Sequence, residues 1–121
     1  MTKILIVDDA EFLRMRISKM LIAEGFEVKE AENGARAVQL YQEIQPDIVL
    51  MDVTMPEMDG LTALKEIKRM DPRARVVMLT ALGQESVILD AIKSGARDFI
   101  VKPFERDRVM TAIQKLLVVP A

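Results

Sequence analysis

The sequence predicts an α/β fold in which a five-stranded parallel sheet carries helices on both faces. Three observations predict it. Short apolar runs recur along the chain, the segments between them have helical period, and the two kinds of segment alternate strictly. Strands joined through helices lie parallel, and a strand buried on both faces reads as a continuous apolar run.

The first strand is Ile4-Leu5-Ile6-Val7, with no polar break. A helix follows with Leu13, Ile17, Met20 and Leu21 on one face, and Gly25 ends it. The second strand, within Phe26 to Ala31, alternates apolar and charged residues, the pattern of an edge strand. Asn33-Gly34 reads as a turn and cap into a second helix, lined by Val38, Tyr41 and Ile44 and stopped at Pro46. Ile48 to Met51 is the third strand; Leu61, Leu64 and Ile67 line the third helix, which Pro72 terminates. Val76 to Leu79 is the fourth strand, followed by a helix with Val87, Ile88, Ala91 and Ile92 inward and Gly95 at its end. Asp98 to Val101 makes a short fifth strand, and Val109, Ala112, Ile113, Leu116 and Leu117 face the core from the last helix. The nine Met residues read as core filler, with Met55 and Met58 bordering the crevice beyond the strands.

Composition narrows the chemistry. The 121 residues are expected to form one domain, 1–121, large enough to bury about two thirds of the unfolded surface. Seventeen Lys and Arg oppose nineteen Asp and Glu for a net charge of −2, so the basic surplus that nucleic acid demands is missing. Without Cys there is no disulfide or thiolate nucleophile, and without His the commonest general base is gone. No apolar run exceeds four residues, so neither a membrane-spanning helix nor a secretion signal is expected, and the expected location is the cytoplasm. Carboxylates, lysines, hydroxyls and bound ions remain.

In open α/β sheets ligands bind outside the carboxyl ends of the strands. There the chain places Asp8-Asp9, Asp52, Thr80 and Lys102-Pro103. Any one of these acids alone fits a helix cap. A cluster does not, because two like charges about 4 Å apart cost roughly 4 kcal/mol at an effective dielectric of 20. A domain has a net stability of only about 5–15 kcal/mol. A cation supplies the compensation, and an oxygen-only donor set suits Mg2+, with Mn2+ as the alternative. Lys102 adds a second positive charge, and the whole set suits phosphoryl transfer with one carboxylate as nucleophile.

The segments ILIVDD, MDVTMPEMDG, MLTA and FIVKPF, in this order and spacing, resemble the receiver domain of bacterial two-component response regulators across essentially the whole chain. The resemblance implies a (βα)5 flavodoxin-like three-layer fold with strand order 2-1-3-4-5. It implies that Asp52 is the phosphoacceptor, that Asp8 and Asp9 hold Mg2+ with it, and that the backbone carbonyl of Thr54 is the remaining protein ligand. Lys102 then contacts the phosphoryl group, Thr80 is the switch hydroxyl, and Phe99 stands at the aromatic switch position without the hydroxyl a Tyr would bring. A cis Lys102-Pro103 bond is also implied. Thr54 and Leu82 flank the phosphoryl site, where an apolar Leu82 would screen water and prolong the phosphorylated state, while Pro56 and Gly60 shape the loop after the third strand.

Within the family, DDAEFLRMRI and TALGQESVILDAIKSGARDFIVKPF are similar to single-domain chemotaxis regulators, and the chain stops after the fifth helix at Val119-Pro120-Ala121. That implies a monomeric signalling phosphoacceptor rather than an enzyme, acting without nucleic acid or membrane. Its partners would be a sensor histidine kinase and the flagellar motor switch protein. The docking surface would be the fourth helix, fifth strand and fifth helix, around Ala91, Phe99 and Lys102. The alternative is a receiver excised from a transcription factor or hybrid histidine kinase. A haloacid-dehalogenase-type phosphatase needs a second Asp two residues after its nucleophile, where Thr54 stands. An FMN carrier would find its phosphate repelled by Asp8-Asp9. A receiver that is never phosphorylated would have no use for the intact acidic set.

Overall fold

A computed structural model of the protein describes residues 1–55, 57–81 and 83–118. Five βα units follow one another: β1 (Lys3–Val7), α1 (Glu11–Ala23), β2 (Glu27–Ala31), α2 (Gly34–Ile44), β3 (Ile48–Asp52), α3 (Gly60–Met70), β4 (Val76–Thr80), α4 (Glu85–Lys93), β5 (Asp98–Val101) and α5 (Arg106–Val118). All strands are parallel, in the order β2-β1-β3-β4-β5. The chain starts inside the sheet, steps outward to β2, then reverses across β1 to build the other half. With crossovers of one hand, that reversal places helices on both faces. Register aligns Val7 with Met51, Asp52 with Leu79 and Thr80 with Val101, so the carboxyl ends of β1, β3, β4 and β5 share one edge.

The continuous apolar runs resolve into two interleaved faces. Leu5, Val7, Val49, Met51, Val76 and Met78 pack beneath α2, α3 and α4. Ile4, Ile6, Ile48, Leu50, Val77, Leu79 and Ile100 pack beneath α1 and α5. Every residue of β3 and β4 is buried, whereas β2 buries only Ala31, as an edge strand does.

Three expectations about the helices need correction. Leu13, Ile92 and Leu117 are exposed rather than core residues. In α4 only Ala91 is fully buried, because this helix packs on α3 and β4 and no described residue covers its outer side. Ala91 is 1% exposed and Ile92 44%, so Ala91 belongs to the interior, and Leu89, Ile92 and Phe99 form the apolar surface of that region. The methionines are core filler with the exception of Met1 and Met15, which are exposed; Met55 is buried under α2 and α3. Pro56, Leu82 and Val119-Pro120-Ala121 lie outside the described residues.

Helix ends follow the local signals. Asn33 caps α2 by accepting from the Arg36 N–H at 2.8 Å, and its amide donates to Glu57 at 2.6 Å. Asn33→Ala is expected to cost about 1 kcal/mol, read as a melting temperature lower by several degrees, and an unchanged melting curve would contradict the cap. Gln45 takes a left-handed conformation to end α2 ahead of Pro46, and Gly25 (φ 92°) does so after α1.

Candidate functional site

The strand ends deliver the predicted side chains to one crevice. Asp8, directly after β1, and Thr80, the last residue of β4, are fully buried; Asp52, the last residue of β3, is nearly so, and Asp9 is exposed. Carboxylate oxygens from Asp8, Asp9 and Asp52 lie within 4.8 Å of one another. Lys102 reaches in after β5, its Nζ 3.3 Å from Asp8 Oδ2 and 3.2 Å from Asp52 Oδ1. Its backbone N–H donates to the Thr80 carbonyl at 2.7 Å, and the bond to Pro103 is cis, as the resemblance implied.

Backbone contacts hold these groups in place. Asp8 Oδ1 accepts from the Ala10 N–H at 2.9 Å, and the Arg14 guanidinium donates to the Asp8 carbonyl at 2.6 Å and to Glu30 at 2.9 Å. The Gly60 N–H donates to the Val53 carbonyl at 2.8 Å, and a Cβ on Gly60 would fall 2.0 Å from the Asp52 carbonyl oxygen. Only glycine lets α3 begin this close to Asp52, which gives the loop role read from the sequence its physical content.

Electrostatics at the cluster are strained. Burial is the main cause that raises the Asp52 carboxyl to about 6; Lys102 pulls it down, while Asp8 and Asp9 push it up further. One lysine faces three carboxylates, so the crevice keeps a surplus of negative charge. Oxygen donors alone, with one carboxylate fully buried, fit a small hard cation such as Mg2+ better than a thiolate- or imidazole-seeking metal.

Around this centre stand groups of other kinds. Thr80 Oγ1 is buried without a hydrogen-bond partner among the described residues. Thr54 is exposed, and its hydroxyl accepts from Gln84 Nε2 at 3.0 Å, while Gln84 Oε1 accepts from the Ala81 N–H at 2.7 Å. Phe99 does not join the cluster; it lies on β5 opposite Met78, partly exposed, with its carbonyl accepting from Arg108 at 2.6 Å. Gln84 and Arg14 escaped the sequence reading, since a polar residue at a helix start carries no signal of a long-range contact.

The family model described as the response regulator receiver domain matches residues 4–114. The chain belongs to this family. The receiver domain is 62% identical to the chemotaxis protein CheY of Bacillus subtilis over 116 residues, which span 95% of this chain and 97% of that protein. It is 50% identical to CheY of Thermotoga maritima over 115 residues, 94% and 96% of the two chains. Among solved structures, it matches a chain in the crystal structure of the CheX-CheY-BeF3-Mg2+ complex from Borrelia burgdorferi with TM-score 0.92 and 39% identity, covering 98% of this chain and 90% of that one. CheY-like receivers are signalling proteins, and the receiver's acidic cluster is compatible with Mg2+. Among the described residues, no helix of the receiver is long and apolar enough to cross a membrane.

Proposed function

We propose that residues 1–121 act as one monomeric, cytoplasmic switch in which Asp52 accepts a phosphoryl group from a phosphohistidine of a sensor kinase. The observation that carries this reading is the convergence of Asp8, Asp9 and Asp52 on Lys102 at the carboxyl edge of the sheet. The carboxylates of Asp8, Asp9 and Asp52 with the Thr54 carbonyl would hold Mg2+. When bound, Mg2+ supplies positive charge that offsets repulsion between the carboxylates and an incoming phosphoryl group. The Mg2+ named in the Borrelia complex supports the choice of metal.

The chain's own residues then divide the work. An Asp52 oxygen attacks phosphorus, the bond from phosphorus to the donor imidazole nitrogen breaks, and that electron pair stays on the imidazole. Lys102, already beside Asp52, turns to the phosphoryl oxygens. The Thr80 hydroxyl, without a partner among the described residues, finds its acceptor there, and the space it leaves admits Phe99. Neither move makes a new fold; both bias an existing two-state equilibrium. The readout is the α4–β5–α5 face, with Leu89, Ile92 and Phe99 exposed on it. Similarity to chemotaxis proteins supports the flagellar motor switch as the partner that reads it.

The test is incubation with a small acyl phosphate and Mg2+ followed by intact mass. The parent should gain one phosphoryl group and Asp52→Asn none, and chelation of the metal should suppress the gain. No addition to the parent, or equal addition to both proteins, would overturn the assignment.

A further inference from the structure

We propose that Gln84 is a positioning residue, a latch that occupies the backbone donor beside the phosphoryl site and yields it when Asp52 is modified. The inference rests on the phosphoacceptor reading above. Gln84 is the N-cap residue of α4, yet its side chain makes no capping hydrogen bond to the helix. It turns the other way. Oε1 accepts from the Ala81 N–H at 2.7 Å and Nε2 donates to Thr54 Oγ1 at 3.0 Å. Thr54 lies two residues beyond Asp52 and Ala81 one beyond Thr80, at the ends of the adjacent strands β3 and β4. One side-chain amide thus ties together the two loops that border the crevice.

The tie competes with the proposed chemistry. The Ala81 N–H stands at the end of β4 directly after Thr80, where an anion carried by Asp52 needs donors. In the resting protein its partner is the neutral carbonyl of Gln84. Charged phosphoryl oxygens are the stronger acceptors, so phosphorylation transfers this N–H from Gln84 to the phosphoryl group. Gln84 then lets go of both loops, and α4, anchored in the interior by the buried Ala91 and the partly buried Val87, is released from them. Gly83, at φ +90° with open space around its Cβ position, gives the segment its turning point. Loading of the site is thereby reported to α4 by a route separate from Thr80 and Phe99.

Full-length Gln84→Ala and Gln84→Glu test this in two ways, each against the parent. Amide hydrogen exchange of the metal-free proteins reads the latch itself: Ala81 should exchange about tenfold faster in Gln84→Ala, the loss of one hydrogen bond, with other strand amides unchanged. Phosphorylation by acetyl phosphate with Mg2+ reads its role. There an Asp52 oxygen attacks phosphorus, the phosphorus–oxygen bond to the acetyl group breaks, and acetate leaves with the electron pair. Gln84→Ala should react about threefold to tenfold faster because the donor stands free. Gln84→Glu keeps an acceptor on Ala81 and adds negative charge, so it should hold the protection and react more slowly than the parent. Parent-like exchange at Ala81, or parent-like rates in both variants, would overturn the latch while the phosphoacceptor assignment stood. A parent that takes up no phosphoryl group would instead overturn that assignment.

Discussion

Lys102→Ala lowers the stability of the metal-free protein by about 3 kcal/mol, and saturating Mg2+ restores most of the loss. Lys102 is the cation that stands 3.3 Å from Asp8 and 3.2 Å from Asp52. Without it, a fully buried carboxylate faces a second one with no positive charge between them. Breaking a buried pair by removing one partner costs about 3–5 kcal/mol, and the lower figure applies because the lysine side chain is 22% exposed. A ligand present at about a hundred times its dissociation constant returns about 2.7 kcal/mol. Urea unfolding of parent, Lys102→Ala and Lys102→Met, with and without Mg2+, reads the effect. Met keeps the apolar stem, so a loss confined to Ala would mean packing rather than charge. Equal midpoints for all three proteins in metal-free buffer would refute the charge argument.

Asp52→Asn moves stability the other way. Its carboxyl is raised from 3.8 to about 6, chiefly by burial, so the folded state holds this proton more tightly than the unfolded chain does. The sign follows from linkage. The contribution is complete below about 3.8, fades as the pH rises, and is gone above about 6. The rise from 3.8 to about 6 already includes the opposing pull of Lys102, and it corresponds to roughly 3 kcal/mol, the upper bound on the extra stability of Asn at neutral pH. Across that window without Mg2+, the melting temperature of the parent relative to Asp52→Asn should fall as the pH rises; parallel curves would contradict the assignment. Mg2+ displaces the same proton, so its affinity for the parent should climb through the window and level off above it.

Much of this was legible in the residues, for reasons that differ by element. β1, β3 and β4 announced themselves because a strand buried on both faces has no polar positions to hide its run. Asp8, Asp9 and Asp52 were legible as a group, since like charges at neighbouring strand ends need a reason to be there. The outer side of α4 was not. A period of 3.6 shows which residues share a face, but whether anything covers that face depends on the rest of the molecule, and Ile92 lies uncovered. Arg14 and Gln84 stayed hidden because each bridges to a second partner outside its own local segment, 16 residues away for Arg14 and Glu30 and 30 for Gln84 and Thr54. Gly60 was half visible: its turn chemistry could be read, but its distance from the Asp52 carbonyl exists only in three dimensions.

The uneven anchoring of α4 has a kinetic consequence. The α2–α4 interior and the α1–α5 interior share no residues, since the sheet stands between them. A shift of α4 therefore disturbs Ala91 and the partly buried Val87 in one layer and leaves the opposite layer at rest. Motions of that kind run on the microsecond-to-millisecond scale and need no unfolding of the domain. In relaxation-dispersion spectra, exchange broadening should gather on residues 85–93 while α1 and α5 stay sharp. The domain is thus built as a stiff plate carrying one loose slat, whose exposed Leu89 and Ile92 shift with it.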